Sequence, residues 1–128
     1  MIRVVRLGTP RVRGEGVRIG TVRRPPRGVP KSRHAKDDWY DVWLPELSPS
    51  GPLVAKWLAA TTDGERARCA RQFERELASP ASARLLELLV AMSRGANLAI
   101  GCYCADESKC HRGVLGAELR ARGAEVTS

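Results

Sequence analysis

The sequence predicts an α/β fold, a single compact domain with a mainly parallel sheet flanked by helices, and three observations predict it. Short runs rich in β-branched residues, Ile2 to Leu7, Val17 to Val22 and Leu98 to Gly101, are bounded by glycine or proline turn chemistry. Three stretches with apolar residues at helical spacing lie between the second and third runs, and a fourth follows the third. Strand, strand, helices, strand, helix, strand is the order of a helix-covered parallel sheet. At 128 residues one core suffices without disulfide staples, so residues 1–128 read as one domain.

Gly8-Thr9-Pro10 and Gly14-Glu15-Gly16 bracket the loop between the first two strands. The second strand runs into residues 23–31, where Pro25, Pro26 and Pro30 exclude both helix and central strand. This segment is expected to be an extended surface loop that presents Arg23, Arg24, Arg27 and Lys31 on a proline-stiffened backbone. Residues 36–50 gather Trp39, Tyr40 and Trp43 among acids and are kept irregular by Pro45 and Pro49. Such aromatics can wall a pocket, but Trp39 and Trp43 stand four apart and Trp43 is expected in the core.

Helical segments are expected from Gly51-Pro52 through Trp57 to Ala60, from Asp63 as cap through Cys69, Phe73 and Leu77, and from Ser79-Pro80 to Gly95. In the third, Leu85, Leu86, Leu88, Leu89 and Met92 are expected to face inward. A final helix runs to Arg122, Gly123 ends it, and Ala124 to Val126 form an edge strand.

The net charge of +8 is unevenly placed. Residues 1–36 carry eleven basic side chains against Glu15 alone, whereas the remainder carries eleven basic and thirteen acidic ones. That asymmetry suits an anionic small molecule or a nucleic acid as partner. The longest apolar runs are too short to span a bilayer, and the opening Met1-Ile2-Arg3 has no secretory pattern. Four cysteines in such a chain point to a reducing cytoplasm, with thiols free or bound to metal.

The densest chemistry lies at residues 99–112, where Cys102, Cys104, Cys110, His111 and Arg112 follow an apolar strand and precede a helix. Three readings stay open. Cys102, Cys104, Cys110 and His111 offer ligands for zinc or another soft metal, although adjacent Cys110 and His111 can both ligate only from an irregular turn. Alternatively, Ser108 caps the helix and places Cys110 in its first turn, where the helix dipole and Arg112 favour a thiolate that Cys102 or Cys104 could resolve. The third reading is an anion site made of helix-start amides and Arg112.

Residues 22–29, the Trp39-to-Ser50 segment, Phe73-Glu74-Arg75-Glu76-Leu77, Gly101-Cys102-Tyr103-Cys104 and Cys110-His111-Arg112 together resemble the bacterial DUF488 family, in order and over nearly the whole chain. The resemblance implies a compact α/β domain. Carried over by position, it favours Arg23, Arg24, Arg27, Trp43, Glu46, Cys102, Cys104, Cys110, His111 and Arg112 as site residues. The late cysteine pairs are also similar to a loop in other small α/β families associated with nucleotides.

The function expected from all this is binding of a phosphate-bearing or nucleotide-like anion at the Cys/His/Arg loop. Arg23, Arg24, Arg27, Trp43 and Arg112 would bind it, Cys110 would act as nucleophile, and His111 or Glu46 would move protons. The competing expectation is a non-catalytic nucleic-acid-binding module stabilised by zinc.

Overall fold

A computed structural model describes residues 1–128. Five strands, β1 (Ile2–Arg6), β2 (Val17–Gly20), β3 (Val42–Trp43), β4 (Leu98–Cys102) and β5 (Val126–Thr127), form one sheet in the order β3-β2-β4-β1-β5, with every pairing parallel. Four helices, α1 (Gly51–Ala59), α2 (Asp63–Leu77), α3 (Pro80–Ser93) and α4 (His111–Ala121), complete the α/β domain. No helix is long and apolar enough to cross a membrane.

Alternation along the strands divides the molecule. Ile2, Val4, Ile19, Leu98 and Ile100 share one face and bury against Leu53 of α1, Phe73 and Leu77 of α2, Leu86 and Leu89 of α3, and Leu115 and Leu119 of α4. On the opposite face Arg18 points into the loops that follow β1 and precede β3. Its guanidinium is fully buried, 0 % exposed, yet it grips Glu15 through two bonds of 2.8 and 2.9 Å and the carbonyls of Thr9 and Asp38 at 2.8 Å each. Gly20 lies beneath Tyr40, whose ring occupies the space a Cβ would need. Central β4, buried along its whole length, therefore sits between a helical layer and a loop layer.

Several local expectations are corrected. Residues 42–43 form an edge strand beside β2 rather than irregular chain, and Trp43 is 40 % exposed, its indole N–H donating to the Val22 carbonyl at 2.8 Å. Leu88 and Met92 face solvent, 53 % and 45 % exposed, because α3 meets the core through the narrower stripe of Leu86, Leu89 and Val90. Thr62, not Asp63, caps α2 by accepting the Glu65 amide. Ser108 does not cap α4, since its amide and hydroxyl both bond Asp106; Cys110 is the residue at the cap position. β1, β2, β4 and α4 otherwise lie within two residues of their expected ends.

Gly16 has φ +84°, and a Cβ there would lie 1.8 Å from the Asn97 carbonyl oxygen. Gly16→Ala is therefore expected to lower unfolding free energy by about 2 kcal/mol or more in urea titrations. Burial alone would raise the Glu15 carboxyl, but the hydrogen bonds from Arg18 and the Val12 amide hold it below the ordinary value of 4.5. The pair's contribution is thus present above that value and is lost as pH falls through the lower native one. Glu15→Gln should cost about 3 kcal/mol at pH 7, and the gap to the parent protein should shrink in acid.

Candidate functional site

The carboxyl ends of β1, β2 and β4 open into one cleft of about 870 Å³, the position at which open parallel sheets expose their loops. Residues 6–9 end and follow β1, residues 22–27 follow β2, residues 102–104 end and follow β4, Cys110 caps α4 and His111 starts it. Val54, Trp57 and Leu58 of α1 supply an apolar wall, with Trp39 and Tyr103 adding aromatic rings. The basic loop and the cysteine loop thus meet, joined by the Tyr103 hydroxyl, which donates to the Arg24 carbonyl at 2.8 Å.

Cys110 and His111 can face the same space because Cys110 is not helical. Its backbone is extended, φ −124° and ψ 153°, so the helix begins only at His111 and the two side chains escape helical divergence. The sulfurs of Cys102 and Cys110 meet, across Cα atoms 7.8 Å apart, wider than the span of about 4.4–6.8 Å usual for a linked pair. The Cys110 sulfur lies 3.7 Å from His111 Nδ1. His111 Nε2 lies 2.6 Å from the Thr21 carbonyl oxygen, which can only accept. The proton of a neutral ring therefore sits on Nε2, and Nδ1 is left to accept from the Cys110 thiol.

Burial foremost, then the charge of Arg112, pushes the His111 ring down to about 4 against the opposing pull of the Thr21 carbonyl, so the ring is neutral at pH 7. Arg112 itself is 5 % exposed. Its donors reach the Cys102 sulfur at 3.3 Å, the Cys104 carbonyl, and the Ala105 carbonyl at 3.5 Å, while Nε has no partner. No carboxylate lies within ion-pair distance of it. Burial lowers its proton affinity, but a guanidinium remains charged at neutral pH, so this cation favours a thiolate beside it.

Of the four candidate metal ligands, Cys102, Cys110 and His111 bring their donor atoms within 4.8 Å of one another, and the Cys104 sulfur lies outside that group. Cys104 lines the cleft as a free thiol. Two sulfurs and an imidazole whose far nitrogen bonds a carbonyl could hold a soft metal. Arg112, however, already supplies the positive charge that one thiolate needs.

Of the expected anion-binding residues, Arg23, Arg24 and Arg27 line the cleft, and Arg112 lies behind its sulfurs. Arg23 is partly committed, donating to the carbonyls of Pro49 and Ser48 at 3.0 Å each. Trp43 and Glu46 do not reach the cleft: Trp43 sits on the sheet edge, and Glu46 is exposed on the turn after it, with its carbonyl taken by Ser82. Sequence reasoning missed Thr21, Trp57, Arg6 and Lys109 as parts of the site. Trp57 carried a signal, an aromatic on a short helix after a proline-rich loop, but it read as core; a backbone carbonyl such as that of Thr21 carries none.

For His111 the expected outcome is a neutral Nε2–H ring in nitrogen NMR spectra at pH 6, with protonation only near pH 4. Because the native ring refuses a proton that an unfolded histidine accepts near 6.5, stability should fall from about that pH down to about 4, by on the order of 3 kcal/mol, and level off below. His111→Gln should remove that slope in urea titrations.

No curated protein and no solved structure matches the chain. A family model described as the active DUF488-N3 subclade matches residues 2–123. With the strand order, the late cysteine loop and this near-complete match together, the chain belongs to the DUF488 family.

Proposed function

We propose that the cleft binds an anionic small molecule of phosphate-bearing or nucleotide-like kind, and that Cys110, with His111 and Arg112, supplies thiol chemistry to it. The observation that carries this reading is the charge of the lining: Arg6, Arg23, Arg24, Arg27 and Lys109 surround the sulfurs, and none of the fourteen acidic side chains is among the lining residues. A carboxylate-free basic wall over a buried cation attracts negative charge and rewards a ligand that brings it. The cleft is far larger than a phosphate needs and has apolar walls, which suits an anionic group attached to a ring or chain.

The fate of the other N-terminal arginines supports the cleft over an extended nucleic-acid face. Arg11 bonds Asp41 at 2.8 and 3.1 Å, Arg18 is buried on Glu15, and Arg33 pairs with Asp37 at 2.9 and 3.0 Å. Three of the eleven basic side chains near the N-terminus are thus neutralised within the fold, whereas Arg6, Arg23, Arg24 and Arg27 turn to the cleft and Arg13, Lys31 and Lys36 lie outside it. In the chemistry proposed, His111 accepts the Cys110 proton's hydrogen bond and Arg112 stabilises negative charge on sulfur. The word "active" in the subclade's description accords with a working centre, and a cytoplasmic setting would keep these thiols reduced.

The test is the rate at which iodoacetamide modifies Cys110, located by peptide mass, with and without pyrophosphate or ADP. Modification faster than that of free cysteine at pH 7, slowed at least severalfold by the anions, is expected. Arg24→Ala/Arg27→Ala should weaken that protection about tenfold without moving the thermal midpoint. A Cys110 no more reactive than free cysteine and indifferent to anions would end this reading.

A further inference from the structure

The proposed site leaves one reactive group unused, the second sulfur. Cys102 is buried at the end of β4 and touches the Cys110 sulfur, and Arg112, the only cation in direct contact with either sulfur, donates to it. A nucleophilic cysteine that forms an acyl or phosphoryl adduct needs an activated water or a second acceptor to release it. No carboxylate lines this cleft to activate water, and the group placed directly against the Cys110 sulfur is the Cys102 sulfur. What lies against Cys110 is a second thiol with a cation holding its negative charge. A thiolate in that place is useful when the adduct on Cys110 is itself electrophilic at sulfur, because then the neighbour can displace it.

We infer that the substrate class is an anionic disulfide, reduced by a two-thiol exchange in which Cys110 attacks and Cys102 resolves. This rests on the reading of Cys110 as the nucleophile of an anion-binding cleft. In the first step Cys110 Sγ attacks one sulfur of R–S–S–R, forming the Cys110–S–S–R bond and expelling one R–S, which departs with the Cys110 proton as R–SH. In the second step the Cys102 thiolate attacks Cys110 Sγ, the non-helical cap residue Cys110 moving inward from the 7.8 Å at which the two Cα atoms stand, forming the Cys102–Cys110 bond and expelling the second R–S as a thiolate. The substrate disulfide gains two electrons, the two cysteines lose two, and a small-molecule monothiol reductant returns the pair to the reduced state by the same exchange run on the protein disulfide. The wall of Arg6, Arg24, Arg27 and Lys109 selects R groups that bear carboxylate or phosphate, and the apolar face of Val54, Trp57 and Leu58 accommodates their hydrocarbon part. Cys104 takes no part, since its sulfur lies outside the group formed by Cys102, Cys110 and His111.

The experiment treats the reduced full-length chain with one equivalent of 5,5′-dithiobis(2-nitrobenzoate), a disulfide with a carboxylate on each ring, and follows released thionitrobenzoate together with peptide mass mapping. The expected result is two equivalents of thionitrobenzoate per protein and a mapped Cys102–Cys110 link, an outcome that needs no variant. Cys102→Ser and Cys102→Ala should each release one equivalent and retain the mixed disulfide on Cys110. At low salt the rate relative to that with the neutral 4,4′-dithiodipyridine should exceed the ratio for free cysteine roughly tenfold, and the excess should fall as salt is added. A mixed disulfide that persists on Cys110 in the unaltered chain, or a link that runs through Cys104, overturns the two-thiol exchange while leaving Cys110 as nucleophile. A Cys110 that does not react ahead of free cysteine overturns the underlying reading as well.

Discussion

The structure of the site depends on one buried charge. Arg112 sits in the first turn of α4 with its guanidinium turned inward, and its hydrogen bonds go to a sulfur and two loop carbonyls rather than to a carboxylate. Those bonds fold residues 102–105 around it, so the loop after β4 takes its shape from the helix that follows. A buried cation with no carboxylate in contact, Glu107 and Asp106 acting on it only from farther off, is costly, and the arrangement becomes more favourable when negative charge resides on Cys102, on Cys110 or on a ligand above them. The same group therefore fixes the loop and, in the function proposed, sets the sign of the charge that the cleft favours.

The rest of the fold keeps that charge in place. β4 is the central strand and is buried along its length, so Cys102 leaves the sheet at a point that cannot drift. The helical layer positions α4 through Leu115 and Leu119, and Gly116 lets the helix approach Val4 closely, a Cβ there coming within 3.3 Å. On the other face the Arg18–Glu15 pair holds the loops that bring Trp39 and Tyr40 over the sheet. Thr21, one residue past β2, presents its carbonyl to His111 and so ties the orientation of the imidazole to the sheet itself. Two strands and one helix thus agree on where the Cys110 sulfur points.

Much of this was legible in the sequence, for identifiable reasons. Pro52 and Pro80 mark helix starts because a missing N–H costs nothing in the first turn, and the β-branched runs mark buried parallel strands. The crowding of Cys102, Cys104, Cys110, His111 and Arg112 after such a strand pointed to the candidate site, where Cys102, Cys110 and His111 do cluster. What could not be read were outcomes of competition between partners. Eleven basic residues near the N-terminus look alike in a sequence, yet Arg18 is buried, Arg11 and Arg33 are paired, and Arg24 and Arg27 line the cleft. Ser108 has the chemistry of a helix cap, but Asp106 is nearer and takes its hydroxyl, which passes the cap to Cys110 and frees that residue from helical geometry. Trp43 and Glu46 fall beside the site in sequence and away from it in space, because the chain turns along the sheet edge between them and the cleft.

The most direct test of the central claim, that a buried cation and a carboxylate-free rim make this cleft an anion trap around a reactive sulfur, is a comparison of two alkylating agents of nearly equal size. Iodoacetate carries a negative charge and iodoacetamide does not. The ratio of their rates at Cys110, measured at low ionic strength and divided by the same ratio for free cysteine, should lie well above one and approach one as salt is added. A ratio at or below one that is insensitive to salt would mean that the charge around Cys110 is spent inside the protein and that the cleft does not recruit anions.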